Sequence, residues 1–315
     1  MFNKFYFFKY KIFYKYLFIY FILLFLLNFL FQNNIIYSLP DQDYYTYTDQ
    51  ISKYKTNIFI YIREIIDNEN QNPLVFLSYI KLFWKFLIIT SINLFYDTKP
   101  DLINLDPFRL FCGSLLLMSI VINRFNNKFF VILISLFFII TFNPFKWLFT
   151  EWLRQNLALS IFFFYLKFKS SKANSNNYFN TLIGLISSLI HFSLFPSFVI
   201  IEVFFKSEFF RKYYTFLSLP ILIFSLPVLS LNLGFGNELT KLIIILISIF
   251  ILIFYKIKKD KINYVITSSI LIPFSYFSIL YKLDGITLRC FGVICPIIIL
   301  FINDLYRGLK SFKNV

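Results

Sequence analysis

Three short segments of this chain hold residues whose types suit charge stabilisation and proton transfer. The first runs Trp147-Leu148-Phe149-Thr150-Glu151-Trp152-Leu153-Arg154-Gln155-Asn156-Leu157-Ala158. Within it Trp147, Glu151 and Arg154 are spaced i, i+4 and i+7, which on one helix puts them on a shared face. The second is Leu189-Ile190-His191-Phe192-Ser193, which holds the only histidine, one helical turn after Ser187 and Ser188. The third is Lys282-Leu283-Asp284-Gly285-Ile286-Thr287-Leu288-Arg289-Cys290, where Asp284 and Arg289 open a long apolar run.

The chemistry follows from the residue types. Arginine stays charged, and its planar fork grips diphosphate oxygens in pairs. Arg154 and Arg289 fall about one turn inside apolar runs, where an ionisable side chain is costly and marks a candidate site. Two cations neutralise a diphosphate where one falls short of charge. Histidine titrates near neutral pH, which suits a general base. Plainer readings stand beside these. The arginines could snorkel to an interface and pair with Glu151 and Asp284, and His191 could be a hydrogen-bond partner between helices. A further group, Asp43, Tyr44 and Tyr47, lies in the polar stretch 38–49. Carboxylates accept hydrogen bonds from sugar hydroxyls and aromatic rings stack on apolar sugar faces; a solvated loop with interfacial tyrosines is the alternative. A lone histidine with no neighbouring Cys or carboxylate gives no metal site, so neither a metal nor another cofactor is expected.

These residues must be positioned by helices in a membrane. Of 315 residues, 58% are hydrophobic and 23% aromatic, and the mean hydropathy is +0.70, which excludes an ordinary soluble domain. Apolar runs of about 20 residues suit transmembrane helices. Candidate spans are 12–31, 107–122, 129–147, 153–168, 179–192, 194–205, 215–231, 241–255, 262–281 and 286–303. The expected fold is therefore all-α: one polytopic bundle over 1–315 with about ten spans. The formal charge of +15 sits in clusters at every second break. They are Lys4/Lys9/Lys11/Lys15, Arg124/Lys128, Lys167/Lys169/Lys172, Lys206/Arg211/Lys212, Lys256/Lys258/Lys259/Lys261 and Arg307/Lys310/Lys313. That alternation is the positive-inside pattern of an inner-membrane protein with both termini cytoplasmic. Contact with anionic lipid headgroups is expected of such clusters, and no basic stretch has the pattern of a nucleic-acid face.

The basic, then apolar N-terminus reads as an uncleaved first helix. An outer-face loop over 32–106 follows, with an amphipathic interfacial helix near 74–95; counting 74–95 as a span would move Arg124 and Lys128 outside. The stretch 179–205 is long for one span and short for two, and Pro196 interrupts it. Two short or re-entrant helices meeting near His191 keep Lys206, Arg211 and Lys212 on the cytoplasmic side. Cys112, Cys290 and Cys295 read as apolar packing residues. Glu202 is expected to pair with a nearby basic residue.

Together these elements resemble the EpsG/Wzy-type polysaccharide polymerases. The resemblance rests on Arg154-Gln155-x-Leu157-Ala158 opening a helix, on His191-Phe192-Ser193 closing a later one, and on Asp43-Tyr44-x-x-Tyr47 in the loop after the first helix. It covers about 40–205 and, beyond that, the helix count and Arg289. The chain departs from the pattern before Asp43, where Ser38-Leu39-Pro40-Asp41-Gln42 offers no arginine. The resemblance implies a membrane glycosyltransferase that joins repeat units of an O-antigen, capsule or exopolysaccharide. The donor would be a polyprenyl-diphosphate-linked oligosaccharide (undecaprenyl diphosphate), used without a nucleotide sugar at the outer face of the bacterial inner membrane. It implies catalytic roles for His191, Arg154 and Arg289, with a carboxylate such as Asp43 as the alternative general base to His191, and substrate contacts from Asp43, Tyr44, Tyr47, Glu151, Gln155 and Asp284. Membrane lipids, a chain-length regulator and a flippase of the same pathway are the implied partners. Two other classes compete. A transporter or flippase of lipid-linked oligosaccharide also needs cations in a cavity, but no internal duplication is visible here. A membrane O-acyltransferase that modifies glycans also uses one histidine, but normally with an acid close by.

Overall fold

The computed structural model describes residues 2–33, 35, 63, 106–123, 128–150, 152–170, 178–230, 237–280 and 284–312. Nearly all of the expected outer loop falls outside them, including Asp43, Tyr44, Tyr47 and the stretch 74–95, and so does Glu151. Every regular element among the described residues is a helix. In chain order these are α1 (Phe2–Gln32), α2 (Asp106–Ile122), α3 (Lys128–Thr141), α4 (Asn143–Thr150), α5 (Leu153–Lys169), α6 (Tyr178–Ile190), a 3-10 turn (Phe192–Leu194), α7 (Phe195–Lys206), α8 (Glu208–Ser230), α9 (Asn237–Ile257), α10 (Lys261–Leu280) and α11 (Asp284–Phe312).

Among the described residues, four stretches are long and apolar enough to cross a membrane: Tyr14–Gln32, Leu239–Ile257, Lys261–Leu280 and Thr287–Gly308. The bent pair α3 and α4 makes a fifth if taken as one span, while Phe108–Ile122 and Tyr178–Ile190 are apolar but shorter. The outside of the bundle fits a lipid solvent. Phe18, Phe21, Phe25 and Phe29 on α1 and Phe137 on α3 are each more than half exposed. In water such a girdle of large apolar side chains would be a severe liability. This is the make-up of a multi-pass membrane protein. The interior packs Phe145, Phe149, Phe162, Phe163 and Tyr165 with leucines and isoleucines from α1, α2, α9, α10 and α11. Cys112, Cys290 and Cys295 are free and buried in it, as packing residues should be.

One break corrects an expected span; a second falls in the gap expected between the spans 129–147 and 153–168 but overturns a shared helix face. The expected single span 129–147 is bent by 95° between α3 and α4. Pro144 is the cause. It has no N–H to donate to the carbonyl of Ile140 and its ring crowds that carbonyl, so α3 cannot run on through it, while the missing N–H is harmless in the first turn of a new helix. The second break separates α4 from α5, so Trp147 and Arg154 do not share one continuous helix as their spacing suggested. Trp152 sits at the junction with φ −87° and ψ 54°. No proline or glycine marks this break. It is held by a nearby side chain: Asn156 Nδ2 donates to Leu148 O at 3.0 Å, capping the end of α4. α11 also presses on the junction, since a Cβ on Gly292 would lie 2.9 Å from Pro144 O and 2.9 Å from the Trp152 ring. Only glycine permits that approach.

The stretch 178–206 is a helical hairpin with His191 at its tip, matching the two short helices expected to meet there. Thr181 Oγ1 near the start of α6 donates to Glu202 Oε1 near the end of α7 at 3.2 Å, which closes the open end. The arms touch closely, for a Cβ on Gly184 would meet the Phe198 ring at 2.7 Å. Ser187 Oγ donates to Ala158 O at 3.1 Å, which pins the hairpin to α5 about halfway along.

Candidate functional site

The contacts define two poles. At one lie the start of α5, the start of α11 and the tip of the hairpin. Gln155 Nε2 donates to Arg289 O at 3.4 Å, joining α5 to α11. The Arg289 guanidinium lies 5.7 Å from the centre of the Trp152 ring, a cation–π distance. Trp152 in turn packs edge-on against Trp147, centroids 5.8 Å apart. The guanidinium groups of Arg154 and Arg289 both lie near enough to His191 to act on its ring electrostatically. Three residues far apart in sequence thus share one pole.

Each is held differently. Arg154 is in the first turn of α5, partly exposed, and forms no hydrogen bond or ion pair with any described residue. Arg289 is fixed by the Trp152 ring. His191 lies between α6 and the 3-10 turn in extended backbone, φ −139° and ψ 102°. Its Nδ1 is 2.5 Å from Ser193 Oγ. When Nδ1 carries the hydrogen, Ser193 accepts it and Nε2 is left as the basic nitrogen. Stacked Phe192 and Phe195 rings, centroids 5.3 Å apart, stiffen the tip. Ser187 and Ser188 do not contact the imidazole: they donate to Ala158 O and to Gly184 O.

Among the described residues, Gln155 Oε1 and Thr287 Oγ1 beside the arginines, and Ser197 Oγ in the first turn of α7, are buried without a hydrogen-bond partner. Buried polar atoms are normally satisfied, so orphans beside two arginines point to a polar ligand that supplies donors. A poly-hydroxyl compound with an anionic group meets both needs. Thr287 was not singled out from sequence; a lone threonine two residues before Arg289 carries no distinctive signal. Arg109 was also missed. Gly113 near the start of α2 packs against Phe149 just before α5, and Asn123 at the end of α2 donates to Phe163 O at 2.8 Å, so α2 runs parallel to α5. Arg109, buried at 6% exposure near the start of α2, therefore belongs to the same pole as Arg154. Its place at a helix start looked like an ordinary flank. Asp284 opens α11 at this pole. Glu151, Asp43, Tyr44 and Tyr47 lie outside the described residues.

The opposite pole carries the basic clusters. Glu202 Oε1 accepts hydrogen bonds from Lys169 Nζ and Tyr165 Oη, both at 2.9 Å, and Lys206 Nζ lies 3.4 Å from Oε2. The pairing expected of Glu202 is thus with Lys169 and Lys206. Arg211 donates to the last carbonyls of α7, at Phe204 and Phe205. Tyr255 Oη donates to Asp304 Oδ2 at 2.7 Å, Tyr306 stacks on Phe130, and Lys128 lies over Tyr16. The described members of the clusters therefore gather at one end, away from His191.

No protein family, no curated protein and no solved structure matches this chain.

Proposed function

We propose that this chain is a membrane glycosyltransferase that polymerises oligosaccharide units carried on a polyprenyl diphosphate. The observation that carries this reading is the convergence of Arg154, Arg289 and His191 at one pole of an apolar bundle, beside two orphaned acceptors. A diphosphate needs cations, a sugar supplies hydroxyl donors, and a lipid tail needs an apolar flank. This pole offers all three.

In the proposed reaction a hydroxyl of the acceptor unit attacks the anomeric carbon of the lipid-linked glycan. A new glycosidic C–O bond forms as the C–O bond to the diphosphate breaks, and the bonding pair leaves with the diphosphate oxygen. Arg154 and Arg289 stabilise the charge that grows there. His191 Nε2 takes the hydroxyl proton, with Ser193 holding the ring through Nδ1. Gln155 and Thr287 accept hydrogen bonds from sugar hydroxyls. Asp43, Tyr44, Tyr47, Glu151 and Asp284 complete the sugar contacts. The clustering of basic residues at the opposite pole favours a topology with that pole cytoplasmic, both termini inside and the reaction at the outer face of the bacterial inner membrane. On this reading the short helices count as crossings too, for about ten spans in all.

The test is reconstitution. Purified protein in liposomes is given a polyprenyl-diphosphate-linked oligosaccharide. A ladder of products, with free polyprenyl diphosphate released in step, is the expected result. Intact donor with no ladder contradicts the reading, and transfer of donor between leaflets without release would assign the chain to transport.

A further inference from the structure

A second site lies at the basic pole. The start of α8, the end of α9 and the start of α10 enclose a cavity of about 530 Å³. That lies within the roughly 300–1,000 Å³ of small-molecule pockets. Its rim carries four lysines, Lys212, Lys256, Lys259 and Lys261. The one carboxylate among its lining residues, Asp260, is committed elsewhere. Its Oδ1 accepts from Asn263 N at 3.1 Å and its Oδ2 from Asn263 Nδ2 at 2.6 Å, capping α10. Lys259 has φ 54°, the tight left-handed turn that brings the end of α9 and the start of α10 together, with Lys256 and Lys261 on either side.

The wall beneath the rim is apolar for a structural reason. Tyr264 Oη is hydrogen-bonded to Ser218 Oγ at 2.7 Å, and Tyr255 Oη donates to Asp304 at 2.7 Å. Both hydroxyls are spent inside the bundle, so the two tyrosines give the cavity ring surface. Phe216, mostly exposed at 69%, continues that wall outward along the face that meets lipid. A second hollow of about 610 Å³ shares Lys212, Tyr213, Thr215 and Lys261, adds Glu208 and Arg211, and extends the space along α8.

We infer that this cavity binds an anionic phospholipid, with the phosphate among the four lysines and the acyl chains running along Phe216 and α8. Charge complementarity selects the headgroup: the four lysines and Arg211 outnumber Asp260 and Glu208 around the two hollows, and Asp260 is also held by its cap. The apolar wall opening to the lipid face selects a lipid over a soluble phosphate. Generic attraction of basic loops to a membrane needs no cavity, and it would treat all exposed lysines at this pole alike. This inference does not depend on the glycosyltransferase reading, because the cavity shares no residue with the His191 pole.

Native mass spectrometry of the purified full chain tests it, with phosphatidylglycerol and phosphatidylcholine as probes. Wild-type protein should retain phosphatidylglycerol over phosphatidylcholine by at least about tenfold. The variant K212Q/K256Q/K259Q/K261Q should lose that preference. So should Phe216→Glu, which alters one exposed wall residue, leaves every lysine in place and guards against a misfolded quadruple variant. The control K128Q/R307Q, at the same pole outside the cavity, should retain it. Equal retention by the quadruple variant, equal loss in the control, or displacement of the lipid by millimolar inorganic phosphate or glycerol phosphate would each overturn the assignment.

Discussion

Arg154 is the residue on which geometry and chemistry agree most simply. Its guanidinium is partly exposed, acts on His191, and forms no ion pair among the described residues. A snorkelling arginine needs only its charge, whereas one that grips a diphosphate needs the fork. Arg154→Lys should therefore be nearly as damaging as Arg154→Ala. Polymer length on a gel at matched protein level checks this, and long polymer from the lysine variant would reduce Arg154 to an interfacial anchor. At this scale much was legible in the sequence. An arginine inside an apolar run and a single histidine stand out because both are costly there. Their convergence was not legible, since it depends on three helix ends meeting. Thr287 and Arg109 stayed hidden because a hydroxyl or an arginine at a helix start carries no signal of its own.

Among the elements, the hairpin α6–α7 decides where His191 sits. Its open end is closed by Glu202, which joins Lys169 on α5, Thr181 on α6 and its own helix. Lys169 is 1% exposed, so removing its partner leaves a buried, uncompensated cation. Breaking such a pair costs about 3–5 kcal/mol, whereas replacing both partners with apolar residues costs far less. Glu202→Ala should lower the unfolding midpoint in detergent, and Glu202→Ala with Lys169→Met should recover most of it. Equal stability of the single variant and wild type would remove the hairpin's proposed anchor. The hairpin was readable from Pro196 and from the placement of charge. The bend between α3 and α4 had its own marker in Pro144, but hydropathy continues across it and the span was read straight through. The break at Trp152 falls in the gap expected between the spans 129–147 and 153–168, although no proline or glycine marks it. It is held by the Asn156 cap, which is local, and by the close approach of Gly292, a long-range effect that a window of sequence does not contain.

The whole molecule is two-sided, with basic clusters at one end and the His191 site at the other. Helix positions followed closely from the apolar runs, because the bilayer sets their length and spacing. Sidedness is open to direct test. A cysteine placed by Gln50→Cys should label from the outside of intact cells only, and Cys112, Cys290 and Cys295 are buried enough to give a quiet background. Labelling solely from the cytoplasmic side would place the His191 pole in the cytoplasm and remove the argument for an extracytoplasmic donor. The central claim, that this pole joins lipid-linked glycans with His191 as base, is tested most directly in the reconstituted reaction. Loss of a general base costs about 10² to 10⁴ in rate. Wild-type protein should build a ladder and release polyprenyl diphosphate, while His191→Gln, folded and inserted equally well, should leave single units on the lipid. A structural histidine would tolerate glutamine, so a full-length ladder from His191→Gln would contradict the assignment.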